Sequence, residues 1–447
     1  MNSENPPAVD QRRSPFRFSL LWRTLRYRNY RLFFAGQLVS LIGTWMTNTA
    51  TVWLVYRLSG SALMLGLVGF SSQIPAAVLS PLAGIYIDQW NKHRVLVATQ
   101  VLSMLQSFAL AALALSGKIT VGWLIGLNAL QGVINAFEMP CRQSFVISLV
   151  EEKENLGNAI ALNSSMFNAA RLLGPSIAGI VIAWIGEGWC FFADGVSFLA
   201  VLASLLAMRL APRPAGQRST TALAEFREGW RYTFGSPPLR AIITLLALTS
   251  LVGVPYTVLV PIFAGKLLGG GPHTLGFLMA AAGAGALLAA LWLAARRSVL
   301  GLTRVVPWAT ATFGGGLILF SLSRWLPLSL LLMMVAGFGF MTQMAASNTV
   351  LQTIVEDDKR GRVMSLFVFA FLGTAPLGSL LAGGLADRLG APWTLRLGGL
   401  GCVLGSLWFF RQLPQLRLAI RPIYLKLGIL REVAEGIERV SVLEKLE

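Results

Sequence analysis

The sequence predicts an all-α integral membrane protein, with twelve transmembrane helices built as two six-helix halves related by a pseudo-two-fold axis. Composition is the first reason. Mean hydropathy is +0.65 and only 13% of the 447 residues are charged, whereas a soluble domain carries about 25%. Run length is the second reason: a span needs roughly 20 apolar residues, and about twelve runs reach that length. Internal duplication is the third. Gly132 to Gly186 lies over Gly337 to Gly390 at a shift of about 205 residues, with one small gap. Gly132 then falls on Gly337, Glu151 on Glu356, Gly157 on Gly361, Gly174 on Gly378, Gly179 on Gly383 and Gly186 on Gly390. Membrane proteins built of two similar halves place a substrate site where the halves meet, which points to transport.

The elements follow in order. Residues 1–29 form a polar start and a basic aromatic stretch, Phe16 to Asn29, suited to an inner membrane surface. The first half covers 30–208, with spans expected near 30–57, 63–87, 94–116, 119–149, 155–185 and 189–208. A hydrophilic connector, 209–238, comes next. Pro212, Pro214 and Gly216 break the chain there, and then Leu223, Phe226, Trp230 and Phe234 recur at helical spacing, which predicts an interfacial helix. The second half covers 239–411, with spans near 239–266, 273–295, 303–322, 327–354, 361–386 and 389–411. In the tail, 412–447, Val433, Ile437, Val440 and Leu443 make one apolar face opposite charges. Several runs exceed the bilayer thickness, so tilt or protruding ends are expected.

Charge supports this threading. The chain is strongly basic, 37 Lys and Arg against 20 Asp and Glu. Twelve spans with the N-terminus inside put roughly thirty of those basic residues on one side, as the positive-inside rule requires. A basic total spread in this way is topology and not a nucleic-acid footprint. The first apolar run is long and follows a basic, polar tail without a small-residue cleavage site, so no cleavable signal peptide is expected. Cys141, Cys190 and Cys402 are isolated and fit packing, and with only His93 and His273 available no metal or other cofactor is expected. Neither a phosphate-binding Gly-x-x-x-x-Gly-Lys-Ser/Thr loop nor a Ser–His pair or paired-carboxylate site is present, which argues against ATP drive and against an enzyme.

Local motifs sharpen the class. Between the second and third spans the chain reads GIYIDQWNKHR, in which Gly84, Asp88, Lys92, His93 and Arg94 fit the pattern Gly-x-x-x-Asp-Arg-x-Gly-Arg-Arg. That pattern belongs to the major facilitator superfamily, which the chain resembles over almost its whole length; Gln89 and Asn91 depart from it. The stretches NYRLFFAGQLVSLIGTWM, AFEMPCRQSFV and NAIALNSSMFNAARLLGPSIAG resemble more closely its bacterial exporter branch, which includes enterobactin exporters and drug:proton antiporters. The resemblance implies alternating access, cavity-lining first and fourth helices, and a multi-pass protein of the bacterial cytoplasmic (inner) membrane with both termini cytoplasmic. It assigns gating to Gly84, by close helix contact, and to Asp88, by capping or pairing across the cytoplasmic gate. Lys92 and Arg94 would hold the loop at the surface. Gly174 and Pro175 match the start of the Gly-Pro-x-x-Gly-Gly pattern of family antiporters, although Gly179 sits one place late. A Gly-Pro step bends a helix and permits close packing, as a gate needs. In the fourth helix the family's Arg-x-x-Gln-Gly is NALQG here: Asn128 replaces the Arg, so that coupling role cannot be carried over.

Ionisable and polar side chains inside spans mark pathways. At 100° per residue, Asn128, Gln131, Asn135, Glu138 and Arg142 share an arc of roughly 80° on the fourth helix. Ser164, Asn168 and Arg171 form a similar stripe on the fifth, and Gln37, Ser40, Thr44, Asn48 and Thr51 on the first. Glu138, paired alternately with water and with Arg142 or Arg171, is the candidate proton carrier; the alternative is a permanent Glu138–Arg142 pair that stabilises the helix. Asp194 reads as structural. The second half offers neutral contacts at Tyr256, Gln343 and Asn348, suited to an amphipathic substrate. Asp387-Arg388 and Arg360-Gly361-Arg362 read as charged helix boundaries, either ordinary solvated loop charge, which is favoured, or locks that hold and release the two faces.

The expected function is therefore proton-coupled export of an amphipathic small molecule, a siderophore or a drug-like compound, by a monomer whose other partners are protons and membrane lipid. The alternatives are a lipid or lysolipid flippase on the same fold, and a non-transporting membrane sensor or assembly protein.

Overall fold

A computed structural model describes residues 25–149, 156–208, 222–296 and 298–427; within them, the side chains of 81, 82, 84–86, 88, 89, 147, 148, 156, 157, 160, 161 and 222–226 fall outside the description. The first half is α1 (Arg28–Ser59), α2 (Ala62–Gln89), α3 (Lys92–Leu115), α4 (Val121–Leu149), α5 (Leu156–Ile185) and α6 (Glu187–Leu206). The connector helix is α7 (Ala222–Gly235). The second half is α8 (Pro237–Val252) with α9 (Tyr256–Ile262) and a π turn (Phe263–Leu267), then α10 (Pro272–Ala294), α11 (Leu302–Leu322), α12 (Leu326–Ile354), α13 (Asp357–Leu372) with α14 (Thr374–Leu389), and α15 (Ala391–Lys426). Eleven stretches among the described residues are long and apolar enough to cross a membrane. The twelfth span is α4, 29 residues long, whose apolar character is diluted by the polar stripe it carries.

Two spans are broken, each for a local reason. The seventh bends between α8 and α9, where Pro255 lacks an amide hydrogen and disfavours helix at the residue before it. The eleventh breaks at Gly373, where the Pro376 ring would collide with the carbonyl four residues back.

The pseudo-two-fold axis is visible in the packing. In the first half α1 packs on α5 and α6, α3 on α6, α2 on α4, and α3 on α4. The equivalent spans of the second half repeat each pairing: α8 on α14 and α15, α11 on α15, α10 on α12, and α11 on α12. The halves meet along two seams, α2 with α14 and α5 with α10. A half-turn about one axis exchanges these seams.

Glycines matched by the duplication occupy equivalent places. Gly179 of α5 lies against Gly276 of α10, and Gly383 of α14 lies against Gly66 of α2; a side chain at any of the four would strike the partner's backbone. Gly132 presses on Ser72 and Pro75 of the second span, as Gly337 presses on Ala282 of the eighth. Gly186 and Gly390 begin the last span of each half at φ 94° and 85°, a backbone region that favours glycine. Gly66, Gly179, Gly276 and Gly383 lie toward the ends of α2, α5, α10 and α14 opposite the connector. The molecule is thus closed at this far face.

The last helix is longer than the sequence suggests. It runs through Pro414 and Pro422 to Lys426, where a tail from 412 was expected, because Leu413, Leu416, Ile420 and Tyr424 join the second-half core. Those four buried side chains contribute about 1.5–3 kcal/mol each, against about 3 kcal/mol for each interior proline. The expected apolar face at Val433 to Leu443 lies outside the described residues.

Candidate functional site

Helix α4 carries its polar stripe inward. Leu130 and Val133 on its other side are exposed and apolar, as a lipid-facing surface is, while Glu138 is 8% exposed. Arg142 Nε reaches Glu138 Oε1 at 3.0 Å, one turn along the helix. Gln131 Nε2 lies 3.0 Å from Asn135 Oδ1 and 3.1 Å from Ser103 Oγ of α3. Asn128, where the family pattern has Arg, turns its amide back on the Leu124 carbonyl at 2.8 Å. On α1, Gln37 is buried and Asn48 is exposed within the same stripe; Thr44 turns toward α6.

Arg171 is not brought to Glu138. Its guanidinium lies over the Trp45 ring, 5.9 Å from the centroid, and Trp45 meets Phe167 edge-on at 5.8 Å. Among the described residues no carboxylate pairs with it. Beside it Asn168 is buried and donates to the Ser164 carbonyl at 2.9 Å. Gly174 lets α5 approach Trp45 and the Ile42 carbonyl of α1, and the carbonyl of Pro175 faces Gly276. The Gly-Pro step therefore joins the arginine site to a seam between halves.

The second-half candidates differ from expectation. Tyr256 is 4% exposed and packs on Phe313 at 6.0 Å, and Gln343 is 1% exposed and donates to Thr249 Oγ1 at 3.0 Å. Both are interior packing in this conformation. Asn348 accepts from Gln352, one turn on, at the half-buried face of α12.

At the connector face, the surroundings of Gly84 and the side chain of Asp88 lie outside the described residues. Lys92 donates to Ser144 of α4, Cys141 donates its thiol to the Lys92 carbonyl at 3.3 Å, and Asn91, a departure from the motif, caps α3 by accepting from the Arg94 amide at 3.2 Å. Arg362 bridges to Glu228 of α7 at 2.6 Å, and Lys359 lies over the Tyr232 ring at 4.8 Å. A hydrogen bond from Lys359 holds the Glu356 carboxyl below its ordinary range. At the far face Asp387 Oδ1 accepts from the Ala62 amide at 2.7 Å and Oδ2 from the Ser61 hydroxyl at 2.8 Å. A carboxylate of one half thus caps the first turn of α2 in the other. Arg57 binds Glu187 nearby at 2.9 Å. Among the described residues no three His, Cys, Asp or Glu side chains gather as metal ligands would.

Known proteins resemble the chain at every level. Residues 20–421 match the family described as transmembrane secretion effector. The staphyloferrin A transporter of Staphylococcus aureus (strain NCTC 8325 / PS 47) is 26% identical over 395 residues, covering 87% of this chain and 98% of that protein. The multidrug efflux pump Tap of Mycolicibacterium fortuitum is 29% identical over 392 residues, covering 85% and 95%. Among solved structures, a bacterial homologue of the human lysosomal transporter Spinster, inward-facing and occupied, superposes with TM-score 0.67 at 16% identity, covering 88% of this chain and 97% of that one. An inward-facing bacterial homologue of the iron transporter ferroportin gives TM-score 0.67 at 16% identity, covering 86% and 98%.

Proposed function

The chain belongs to the transmembrane secretion effector family of the major facilitator superfamily, and from that premise we propose proton-coupled export of an amphipathic, anionic small molecule by alternating access. The observation that carries the anionic preference is Arg171, a cation stacked on Trp45 with no carboxylate partner among the described residues. A half-buried guanidinium is stabilised by an anion, and its planar fork suits a carboxylate or a catecholate. The Trp45–Phe167 pair beside it offers aromatic surface to the apolar part of the same ligand. Relatives named for a siderophore and for multidrug efflux fit such a ligand.

Coupling is assigned to the Glu138–Arg142 pair. An exchange in which Glu138 takes a proton and releases Arg142 would alter the charge of the polar stripe without moving the helix. The protein would sit in a bacterial inner membrane with the connector and both ends on the cytoplasmic side, act as a monomer, and face the cytoplasm in the conformation described.

The test is substrate-driven proton movement in proteoliposomes, with citrate-based and catecholate siderophores and amphipathic drugs, comparing wild type with Glu138→Gln. Proton movement that requires substrate and disappears in the variant is expected. Substrate movement without protons, unchanged by the substitution, would instead support the lipid or lysolipid flippase reading.

A further inference from the structure

The first half holds a second buried carboxyl that the pair on α4 leaves unused. Asp194 lies two turns into α6, about 10 Å from its far end, and is 2% exposed. Hydroxyls from three helices surround it: Thr44 and Thr47 of α1, Ser107 of α3, and Ser197 of α6 itself, which donates to the Asp194 backbone carbonyl at 2.7 Å. Ser107 Oγ is 3.0 Å from Oδ2. The other carboxyl oxygen and the Thr47 hydroxyl are both buried without a hydrogen-bond partner. Gly43 makes the room: a Cβ there would fall 2.7 Å from Oδ1 and 2.6 Å from Ser197 Oγ.

Among the described residues no cation pairs with this carboxyl. Among the described residues of the helices packed on it, Arg57 of α1 is engaged by Glu187, and Arg171 of α5 lies over Trp45. Arg28 and Arg31 of α1 and the basic start of α3 belong to the opposite end, where Lys92 bonds Ser144 and His93 bonds the Leu205 carbonyl. The remaining ionisable neighbours, Glu187 and Cys190, are themselves acidic or neutral. A lone carboxylate buried in a bilayer is too costly to persist; it takes a proton or a cation.

Hydrogen-bond accounting favours the proton. Ser107 has one hydroxyl hydrogen, yet its oxygen lies within reach of two acceptors, Asp194 Oδ2 and Gln106 Oε1 at 3.4 Å. With a proton on Asp194, the acid donates to Ser107 and Ser107 donates to Gln106. The polar file continues along α3 to Ser103, one turn away, then to Gln131 and Asn135. One further turn of α4 reaches Glu138.

We propose that Asp194 is a second proton site, loaded while the far face is closed, and that the polar file from Ser107 to Asn135 couples its protonation to Glu138 by re-orientation of hydrogen bonds. No proton passes through the Gln131 amide, which donates at both of its contacts. The step at Asp194 is proton exchange with water alone: water supplies the proton that the carboxylate takes, and water receives it when the carboxyl ionises. As coupling, this rests on the export reading above; as a protonated group, it does not.

Infrared difference spectroscopy of the full-length protein in lipid nanodiscs separates the two. At neutral pH, wild type and Glu138→Gln should both show the carbonyl stretch of a protonated carboxyl, and Asp194→Asn should lack it. Ser107→Ala, which keeps the acid, should shift that band. A band untouched by both Asp194→Asn and Ser107→Ala would overturn the proposal, as would one abolished when sodium replaces choline, since the site would then hold a metal cation. In proteoliposomes Asp194→Asn should abolish substrate-driven proton movement, and wild-type movement would overturn the link to coupling. If wild type carries substrate but no protons, the export-coupling reading fails, and the infrared band alone decides the protonation of Asp194.

Discussion

Two side chains on neighbouring turns set the behaviour of α4, because Glu138 and Arg142 answer each other inside the bundle. Removing one member of a buried pair leaves the other uncompensated, which costs about 3–5 kcal/mol. Arg142→Ala should therefore lower the melting temperature more than the double substitution with Glu138→Gln, a coupling of about 0.5–3 kcal/mol readable by a double-mutant cycle. Arg171 behaves differently, having no acid to lose among the described residues. Arg171→Ala should weaken binding of an anionic substrate about ten- to a hundredfold, the worth of a charge-assisted hydrogen bond. Arg171→Lys should restore only part of it, since lysine keeps the charge and loses the fork. Equilibrium binding of the siderophore panel measures both. The α4 stripe was legible from spacing alone. Tyr256 and Gln343 were not, because a neutral polar residue in a span satisfies itself within its own half as readily as it lines a cavity.

At the scale of helices, the decisive contact is the cap that Asp387 places on α2 from the other half. Such a cap is worth about 0.5–2 kcal/mol. Asp387→Ala should raise the far-face-open population about five- to thirtyfold at the upper end of that range, read by spin-label distances across the far face, and Asp387→Asn, whose amide oxygen can still cap, should raise it less. Valine at Gly66 or Gly276 should act on the same equilibrium more strongly, since each would drive a side chain into backbone. The sequence pointed to the helices on both sides of these contacts and to Gly179 and Gly383. It did not reveal their partners, Gly66 and Gly276, which lie outside the duplicated stretch and look like ordinary small residues in apolar runs. The role of Asp387 was half legible: the sequence marked Asp387-Arg388 as a boundary charge that could lock a face, but not its partner, the N-terminus of α2, which only the fold places beside it.

For the whole molecule, transport requires the two seams to open in turn. A short thiol cross-linker between cysteines placed at Ser61 and Asp387 should hold the far face shut and arrest transport, with recovery on reduction of a cleavable linker. Twelve spans and two halves followed from hydropathy and duplication; the pairing of spans across the axis did not, because repeats fix what resembles what and leave open what touches what. The seams have a further consequence. They are one contact made twice, α2 on α14 and α10 on α5, with glycine opposite glycine in each. A single six-helix unit carrying both surfaces would recognise a copy of itself about the same axis, closing as a symmetric dimer with nothing left over. The connector is then a tether and not a structural necessity. Residues 1–215 and 216–447 made as separate chains should reassemble into an active transporter, and present-day asymmetry, with its buried acids confined to one half, would be a later specialisation of two once-equal subunits.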